Sequence, residues 1–471
     1  MPSFSRAVLV VTVVSGALTM GSAACTTAAP IDKGALQKAT AARGFITGAP
    51  TGLGDPEVLN RRDFVYALAF GNDDTVAFVH HVTTSMELTA TQIEPVRPRF
   101  QQPVNASEFD LEDVVIIDRG PGKGSIAVPS RQGIARAFDG KTGAALHDYI
   151  AGIALIRAAL SPDGATLAFG ASDGRVFLVD AGTYALRGQA RVHEGEVHGL
   201  AYLADGRLLS VGFDGKLVIS NVVPAPDAGV HIAALPTKSG DRVFLAHLDG
   251  ARAISTVRDT RQISAVVTSA AVKRLELKPI EDGTLLPIST SDGPTTAQGV
   301  ELGSVHVATL DLGSMRAAVC DACVPPGVEL VLGQAAAERA LFVDDIAHDE
   351  MVVKPTDKEG HATVVPGAVT LAPAKSVVLP GPGTDVDVSK TGAVLVSFSE
   401  SKAERSFDLY DAEKKGVYPE PSPKSGAALV DVEHGVLLKS FVGHHGFTTT
   451  AALSPDGRTV VTGGWDKRVL V

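Results

Sequence analysis

The sequence predicts an all-β fold, for three reasons. Its 471 residues are 45% apolar but only 5% aromatic, and they include 48 glycines and 27 prolines, which suits short strands and turns better than long helices. From Asp63 onwards, β-prone runs alternate with turns that contain Asp and Gly. Most successive units are about 42 to 48 residues long. A period in the forties with four short strands per unit is typical of a β-propeller, which we expect to be a single domain.

The chain begins with a segment, residues 1–24, that has the features of an export signal. Arg6 gives it a positive start, an apolar run follows, and its last four residues are small. Cys25 comes directly afterwards. The segment therefore resembles a bacterial lipoprotein signal, and this resemblance implies that Cys25 is acylated and becomes the mature N-terminus. Ordinary cleavage near Ala24 or Ala29 is the alternative.

Residues 25–55 are predicted to form a flexible tether. Their first part is rich in Ala and Thr and has few large apolar side chains, a composition that does not support a packed core. Within the tether, Arg43–Thr47 could form a short strand. We assign residues 56–471 to the β-propeller.

The repeating unit is a strand, a turn, a strand, a second turn and a third strand. The first turns of successive units are expected near Asn72, Gly120, Asp163, Asp205, Asp249, Asp292, Gln334, Thr391 and Asp456. These candidates outnumber the blades of an ordinary ring, so at least one is expected to lie in an insertion. Residues 281–380 have the poorest periodicity, and prolines interrupt their later part. We expect about eight blades, with about seven as the alternative.

Three units share a more specific pattern. One runs from Leu160 to Asp180, with an Asp-Gly turn after its first strand and another after its second; the next runs from Val192 to Gly215; the third is Gly443–Val471. The pattern resembles that of WD-repeat β-propellers. The resemblance implies a fold built of four-stranded blades and a role as a binding platform.

The same resemblance implies two buried hydrogen-bonded sets. Each consists of a His before the first strand, a Ser or Thr on the second strand and an Asp in the following turn. The sets are His193, Ser210 and Asp214 in one unit, and His444, Thr462 and Asp466 in another. Burial would penalise these polar groups unless they satisfied one another. The unit around Asp173 lacks the set.

The last unit stops inside a β-prone run, Val469–Val471. An unpaired strand edge at a terminus invites aggregation, so another part of the chain should pair with it. In WD-repeat propellers the missing strand comes from the N-terminal end. The resemblance therefore implies a ring that is closed by pairing of the N- and C-terminal strands, with Arg43–Thr47 as the candidate partner.

Two cysteines besides Cys25 are present, Cys320 and Cys323, separated by two residues. An exported protein meets an oxidising compartment, so a local disulfide is permitted; two free thiols are the alternative. The prolines that follow favour a loop over the helix start of a redox site. No second ligand pair at matching spacing indicates a metal site.

Three motifs resemble catalytic signatures but are better explained as turns. Residues 170–174 match a nucleophile elbow, yet strands flank them on both sides, where the elbow requires a helix. His193 and His198 are one position too far apart for a zinc-protease helix. Residues 140–142 lack the earlier Gly of a phosphate-binding loop. We therefore predict no catalytic residue, no metal and no cofactor, and we expect a non-enzymatic protein.

The net charge of −11 argues against a nucleic-acid partner, which would require clustered Lys and Arg. The acidic stretch Glu108–Asp113 could bind calcium, but a solvated loop face is the simpler interpretation.

We expect a protein-binding scaffold that is exported and held by lipid on Cys25 at a bacterial cell envelope, with a protein partner of unknown identity. A soluble periplasmic or secreted protein is the alternative location. The alternative function is an envelope enzyme, or a propeller that binds a small ligand or a metal at its central channel.

Overall fold

The structure is a computed structural model that describes residues 64–70, 75–82, 85–92, 97–104, 111–226, 229–237, 240–250, 252–357, 360–400, 422–454, 456–464, 466 and 468–471. The predicted export signal, Cys25, the predicted tether and Arg43–Thr47 lie outside these residues. The described part is almost entirely β, with two six-residue helices, α1 (Ser269–Arg274) and α2 (Gln334–Arg339). The prediction of an all-β fold is confirmed.

The first three sheets are four-stranded antiparallel meanders, in which each strand pairs with the next along the chain. Tight turns make this possible: in the turn after the first strand of the third sheet, Ser161 Oγ donates to Asp163 at 2.5 Å, and Gly164 takes a φ of 72°. The strands are β1 (Phe64–Phe70), β2 (Thr75–Val82), β3 (Ser85–Gln92), β4 (Arg97–Val104), β5 (Val115–Ile116), β6 (Ser125–Pro129), β7 (Ile134–Asp139), β8 (Ala145–Ile150), β9 (Leu155–Leu160), β10 (Thr166–Ala171), β11 (Arg175–Asp180) and β12 (Leu186–Arg191).

The fourth sheet begins as the same meander, with β13 (Val197–Tyr202), β14 (Leu208–Gly212) and β15 (Lys216–Pro224). Its fourth strand, however, comes from far along the chain. The segment Val369–Val378 pairs antiparallel with β15, so that Pro224 faces Val369. Residues 225–368 are thus inserted between the third and fourth strands of one blade, and we call them the insert.

The insert does not repeat the blade pattern. Its strands are β16 (Val230–Ala233), β17 (Leu235–Pro236), β18 (Arg242–Leu248), β19 (Arg252–Arg258), β20 (Ala265–Val267), β21 (Lys278–Pro279), β22 (Leu285–Thr290), β23 (Gly293–Val307), β24 (Leu310–Val319), β25 (Leu330–Leu332), β26 (Ala340–Asp345), β27 (Glu350–Pro355) and β28 (Thr363–Val364). They form a small sheet of order β16-β27-β26 and a larger mixed sheet. The pairs β19–β25 and β20–β24 are parallel, unlike the antiparallel pairs of a blade.

After the insert the meander resumes. The strands are β29 (Val369–Val378), which completes the fourth sheet, then β30 (Gly383–Val388), β31 (Val394–Phe398), β32 (Gly426–Asp431) and β33 (Val436–Val442) in the fifth, and β34 (Thr448–Leu453), β35 (Val460–Gly464) and β36 (Val469–Leu470) in the sixth. Among the described residues, the sixth sheet has three strands in the order β34-β35-β36.

Neighbouring sheets meet through their first strands. β5 contacts β9, β9 contacts β13, β13 contacts β30, and β30 contacts β34. The fourth strands β8 and β33 are instead largely exposed. The first strands therefore surround the axis of the ring and the fourth strands lie at its rim, which is the arrangement of a β-propeller.

Apolar faces hold the blades together. Leu209 and Ile219 of the fourth sheet pack in one fully buried cluster with Val396 and Phe398 of the fifth. Burial of each such side chain stabilises the fold by roughly 1.5–3 kcal/mol. The contact between blades is thus a continuous part of the hydrophobic core.

The insert shares a core with the propeller. Tyr149, Phe169 and Phe177 of the second and third sheets lie in the same buried cluster as Phe244 and Leu302 of the insert. The rings of Tyr149 and His247 are stacked with centroids 5.9 Å apart. The insert is therefore packed onto these two blades as part of the same body.

The position of the insert revises part of the predicted repeat. The turns near Asp249 and Asp292 are hairpins within the insert, and the turn predicted near Gln334 is wrong, because Gln334 begins helix α2. Residues 56–471 were assigned to the β-propeller with at least one turn expected in an insertion, and the insert at residues 225–368 falls within that range. The described residues form six sheets of the blade type, and the total of eight blades stays a prediction.

The last strand, β36, has a neighbour on one side only among the described residues. β36 pairs with β35 on one side; on its other side, no strand among the described residues is paired with it. The closing strand was expected in residues that the structure does not describe. Closure of the ring by the N-terminal segment therefore stays a prediction.

Candidate functional site: the His face and its channel mouth

The structure brings His193, Ser210 and Asp214 together. His193 precedes β13, Ser210 lies on β14, and Asp214 lies in the turn before β15. With the proton of the imidazole on Nδ1, this nitrogen donates to Asp214 at 3.0 Å and Nε2 accepts from the Ser210 hydroxyl at 2.9 Å. The backbone amides of Glu194 and Lys216 also donate to Asp214, each at 3.2 Å. Although burial acts to raise the pKa of Asp214, the hydrogen bond from His193 brings it below its ordinary value.

His444, Thr462 and Asp466 have the same arrangement in the sixth sheet, two blades further along the chain. His444 Nδ1 lies 2.9 Å from Asp466 and its Nε2 lies 2.9 Å from the Thr462 hydroxyl. The amide of His445 donates to Asp466 at 2.9 Å. The His444 side chain is 1% exposed and that of Asp466 is fully buried. In both sets every buried polar group has a partner, which fixes the loop before a blade against the turn after its second strand.

In the unit around Asp173, which lacks the His set, the Asp has a different partner. Asp173 has no His beside it and pairs instead with Arg175, the first residue of β11. Arg175 also donates to Glu350 of the insert at 2.7 Å. Both side chains of this second pair are almost fully buried, at 4% and 8% exposure. A buried ion pair thus joins the insert to the propeller at the unit that lacks the His set.

The two His sets define one face of the ring, which we call the His face. Each set joins a loop that precedes a first strand to a turn that follows a second strand. The His face therefore carries both kinds of connection. The first strands begin at this face. Side chains near the start of each first strand therefore surround the entrance of the central channel.

A β-bulge recurs near the start of these strands. Register shifts fall between Leu155 and Arg157 in β9, and at corresponding places in β13, β30 and β34, after Val197, Gly383 and Thr448. Each bulge leaves one residue unpaired and redirects the side chains around it. The residues that follow the bulges are Arg157, Gly199, Asp385 and Thr450.

Four charged or titratable side chains belong to the segments where first strands start, and we call them the channel mouth: Asp113, Arg157, His198 and Asp385. The positive charge of Arg157 acts on the other three. Asp113 accepts from the amide of Ala158 in the next blade at 2.9 Å. Asp385 accepts from the hydroxyl of Thr450 in the next blade at 2.6 Å. The carboxylates therefore also tie adjacent first strands to each other.

Burial shifts the protonation of these groups. It raises the pKa of Asp385 to about 6, against the opposing effects of Arg157 and the Thr450 hydrogen bond. It also raises the pKa of Asp113, again opposed by Arg157. For His198, burial lowers the pKa, although Glu196 at 2.9 Å partly compensates. At neutral pH the mouth therefore combines one fixed positive charge with carboxylates that bind protons more tightly than usual.

The sequence did not single out the channel mouth. Asp113 was placed on a solvated loop, and this is wrong, because the carboxylate is bonded to the backbone of the next blade. The one available signal was a charge within an otherwise apolar strand, Arg157 in Leu155–Leu160. The first strands of different blades are far apart along the chain, so no short sequence pattern indicates that their side chains meet.

The other motifs behave as turns, and the cysteines are bonded. Residues 170–174 join β10 to β11, and residues 140–142 lie between β7 and β8. Cys320 and Cys323 form a disulfide next to a short 3-10 turn, Asp321–Cys323. Among the described residues, no three His, Cys, Asp or Glu side chains lie together as metal ligands would. None of the helices in the described part is long and apolar enough to cross a bilayer.

One family model matches part of the chain. Residues 435–471 match the family model "WD domain, G-beta repeat", and this stretch comprises β33 and the three strands of the sixth sheet. A chain from a solved structure titled "Crystal Structure of Mitotic Checkpoint Complex" is 14% identical, with 97% of this chain and 98% of that chain covered and a TM-score of 0.37. No curated protein matches the chain. The fold is that of a β-propeller, and its last described blade matches a WD-repeat model.

Proposed function

We propose that this protein is a non-enzymatic scaffold that binds a protein partner through its His face. The observation that carries the proposal is the WD-repeat match at residues 435–471, which falls on one of the two blades with a complete His set. The family resemblance implies a binding platform, and this is an argument from fold. The buried His sets support it physically, because they hold the loops of this face in one conformation before a partner arrives.

Exposed charges on the His face provide a direct test. Glu194 and Lys216 are exposed beside the His193 set, whereas Lys390 is exposed in a turn at the opposite end of a first strand. Cross-linking in intact cells, followed by mass spectrometry, would identify the partner of the wild-type chain. We expect Glu194→Arg combined with Lys216→Glu to lose this cross-link, and the control Lys390→Glu to keep it. A partner that is retained by the His-face variant contradicts the proposal.

We further propose that the chain is exported and anchored at a bacterial cell envelope by lipid on Cys25. The support is the N-terminal sequence alone: a positive start, an apolar run and small residues directly before a cysteine. The test is the intact mass of the mature protein, expressed with its own signal in a bacterial host. A start at Cys25 with the added mass of acyl chains is expected, and Cys25→Ser should abolish that mass. An unmodified mature N-terminus would make the protein soluble after export.

The channel mouth favours a second candidate, a small-ligand site at the central channel. Arg157 lies among carboxylates and a histidine at the entrance, and convergent polar groups of this kind orient bound molecules. A thermal-shift screen of small anions and cations would test it. A ligand that stabilises the wild type and Lys390→Glu but not Arg157→Met would support this function. Equal stabilisation of all three would place the ligand elsewhere.

A further inference from the structure

A cavity of about 390 Å³ lies where the insert meets the rim of the propeller. On the propeller side it is lined by residues of β8, β11, β12 and the loop between the second and third sheets. On the insert side it is lined by residues of β16, β17 and β18. Its volume is within the range of small-molecule sites, about 300 to 1,000 Å³. The loop before β9 and the turn that contains Asp173 line it, so it opens beside the His face, whereas none of the channel-mouth residues lines it.

The walls of this cavity are mostly apolar. Phe177 and Leu186 of the third sheet face Ile232, Val243 and Phe244 of the insert across it. Phe177, Leu186, Ile232 and Phe244 are buried within the core that the two parts share. Apolar surface of this kind favours the uptake of apolar molecules from water.

The charged groups on the walls are already neutralised by one another. Arg175 is paired with Asp173 and Glu350, and Arg191 lies 3.5 Å from Glu350. At the rim, Asp349 is paired with Arg242 at 3.2 Å. A charged ligand would therefore enter without a free opposite charge to receive it, at a large cost in desolvation.

The histidines do not alter this balance. His247 is buried, and its Nε2 donates to the carbonyl of Ile150 at 3.2 Å. Burial lowers its pKa to about 4, so it is uncharged at neutral pH. His348 is exposed and is paired with Asp345 at 2.9 Å. Apart from the Nδ1 of His247, which has no hydrogen-bond partner within the described part of the chain, the cavity thus presents mainly apolar surface and internally compensated charge.

Contacts between the two parts hold the cavity in shape. Gln189 of β12 donates to the carbonyl of His231 at 2.7 Å, and the Arg175–Glu350 pair crosses the same boundary at 2.7 Å. Because bonds on both sides fix the distance between propeller and insert, the space is a built feature of their junction. From its lining, charge and rigidity, we propose that this cavity binds an uncharged, largely apolar small molecule.

Three probes of similar size and different charge test the proposal on the full-length protein. They are 2-methylnaphthalene, naphthalene-2-carboxylate and 2-naphthylmethylammonium, and binding is measured by isothermal titration calorimetry at neutral pH. We expect the neutral probe to bind at least about tenfold more tightly than either charged probe, a difference of about 1.4 kcal/mol. Failure of the neutral probe to bind, or equal binding of all three, would overturn the proposal.

Variants that fill the cavity locate the site. Ala233 and Val243 line it from two different strands of the insert, so Ala233→Phe and Val243→Phe each reduce its volume. Both are expected to weaken binding of 2-methylnaphthalene at least about tenfold, and using two positions guards against one variant failing to fold. Ala145→Phe, at an exposed position of β8, is the matched control and should bind as the wild type does. Unchanged binding in a folded cavity variant would place the probe elsewhere and overturn the proposal.

Discussion

At the scale of single residues, the unusual groups are carboxylates that the ring holds away from water. Asp385 joins two blades through the Thr450 hydroxyl, and burial raises its pKa from 3.8 to about 6. Because the folded-state pKa is above the unfolded one, the folded protein binds this proton more tightly. Asp385 therefore contributes its whole share to the free energy of unfolding at pH values below 3.8. This contribution is lost as the pH rises through about 6.

The variant Asp385→Asn should flatten this pH dependence. The amide keeps the shape of the carboxyl and cannot ionise, so the free energy of unfolding should fall less between about pH 4 and pH 7 than in the wild type. Urea unfolding at a series of pH values would measure it. Asp456 is a suitable control because hydrogen bonds lower its pKa, so Asp456→Asn should leave the slope in this window unchanged. An unaltered slope in Asp385→Asn contradicts the assignment.

The buried pair Arg175–Glu350 makes a second residue-scale prediction. Arg175→Ala should lower the free energy of unfolding by about 3 kcal/mol, because Glu350 remains in a buried site without its closest partner. Replacing both residues by Met removes both charges and should cost less than the single change. Urea unfolding would measure the free energy of unfolding of both variants. A double variant as unstable as Arg175→Ala would mean that the pair itself is strongly stabilising.

At the scale of elements, sequence and structure agree where partners are close along the chain. The His193 set could be found because its members fall within one blade and match the WD-repeat pattern. The Arg175–Glu350 pair could not, because its partners belong to different parts of the fold. The bulges of β9, β13, β30 and β34 were also missed, since a bulge is defined by the register with the neighbouring strand, which residue type alone does not determine.

The last strand provides a prediction at this scale. Deleting residues 467–471 removes β36 (Val469–Leu470), the strand expected to pair with the N-terminal segment. If that strand closes the ring, the midpoint of thermal unfolding of the whole propeller should fall, because opening a ring exposes the edges of two blades. Circular dichroism at the β-sheet wavelength would measure it. An unchanged midpoint, with loss only at the terminus, would show that closure does not depend on this strand.

At the scale of the whole molecule, the insert is part of the propeller's core. Tyr149 and Phe177 of two blades pack against it, so these side chains would face solvent in its absence. The poor periodicity of residues 281–380 indicated an insertion within the repeat. Its limits, 225–368, depend on the pairing of β15 with β29, and no local pattern marks that pairing.

Removing the insert should therefore destabilise the ring. The amide of Ala225 donates to the carbonyl of Ala368 at 3.0 Å, so the β15–β29 hairpin could be closed there by Asn-Gly in place of residues 226–367. We expect the shortened protein to unfold at a lower temperature and to bind more of an apolar dye, because two blades lose their cover. A shortened protein as stable as the wild type would mean that the insert is an independent appendage.

The place of the insert also constrains the order in which the chain acquires its structure. β15 leaves the ribosome long before β29, and its free edge has no partner while residues 225–368 are being made. Bringing two such distant segments together carries a loop-closure cost and slows folding. An insert that folds first would hold its own two ends side by side, at Ala225 and Ala368, and would convert this distant pairing into a local one. Completion of the fourth blade would then be timed by the folding of the insert.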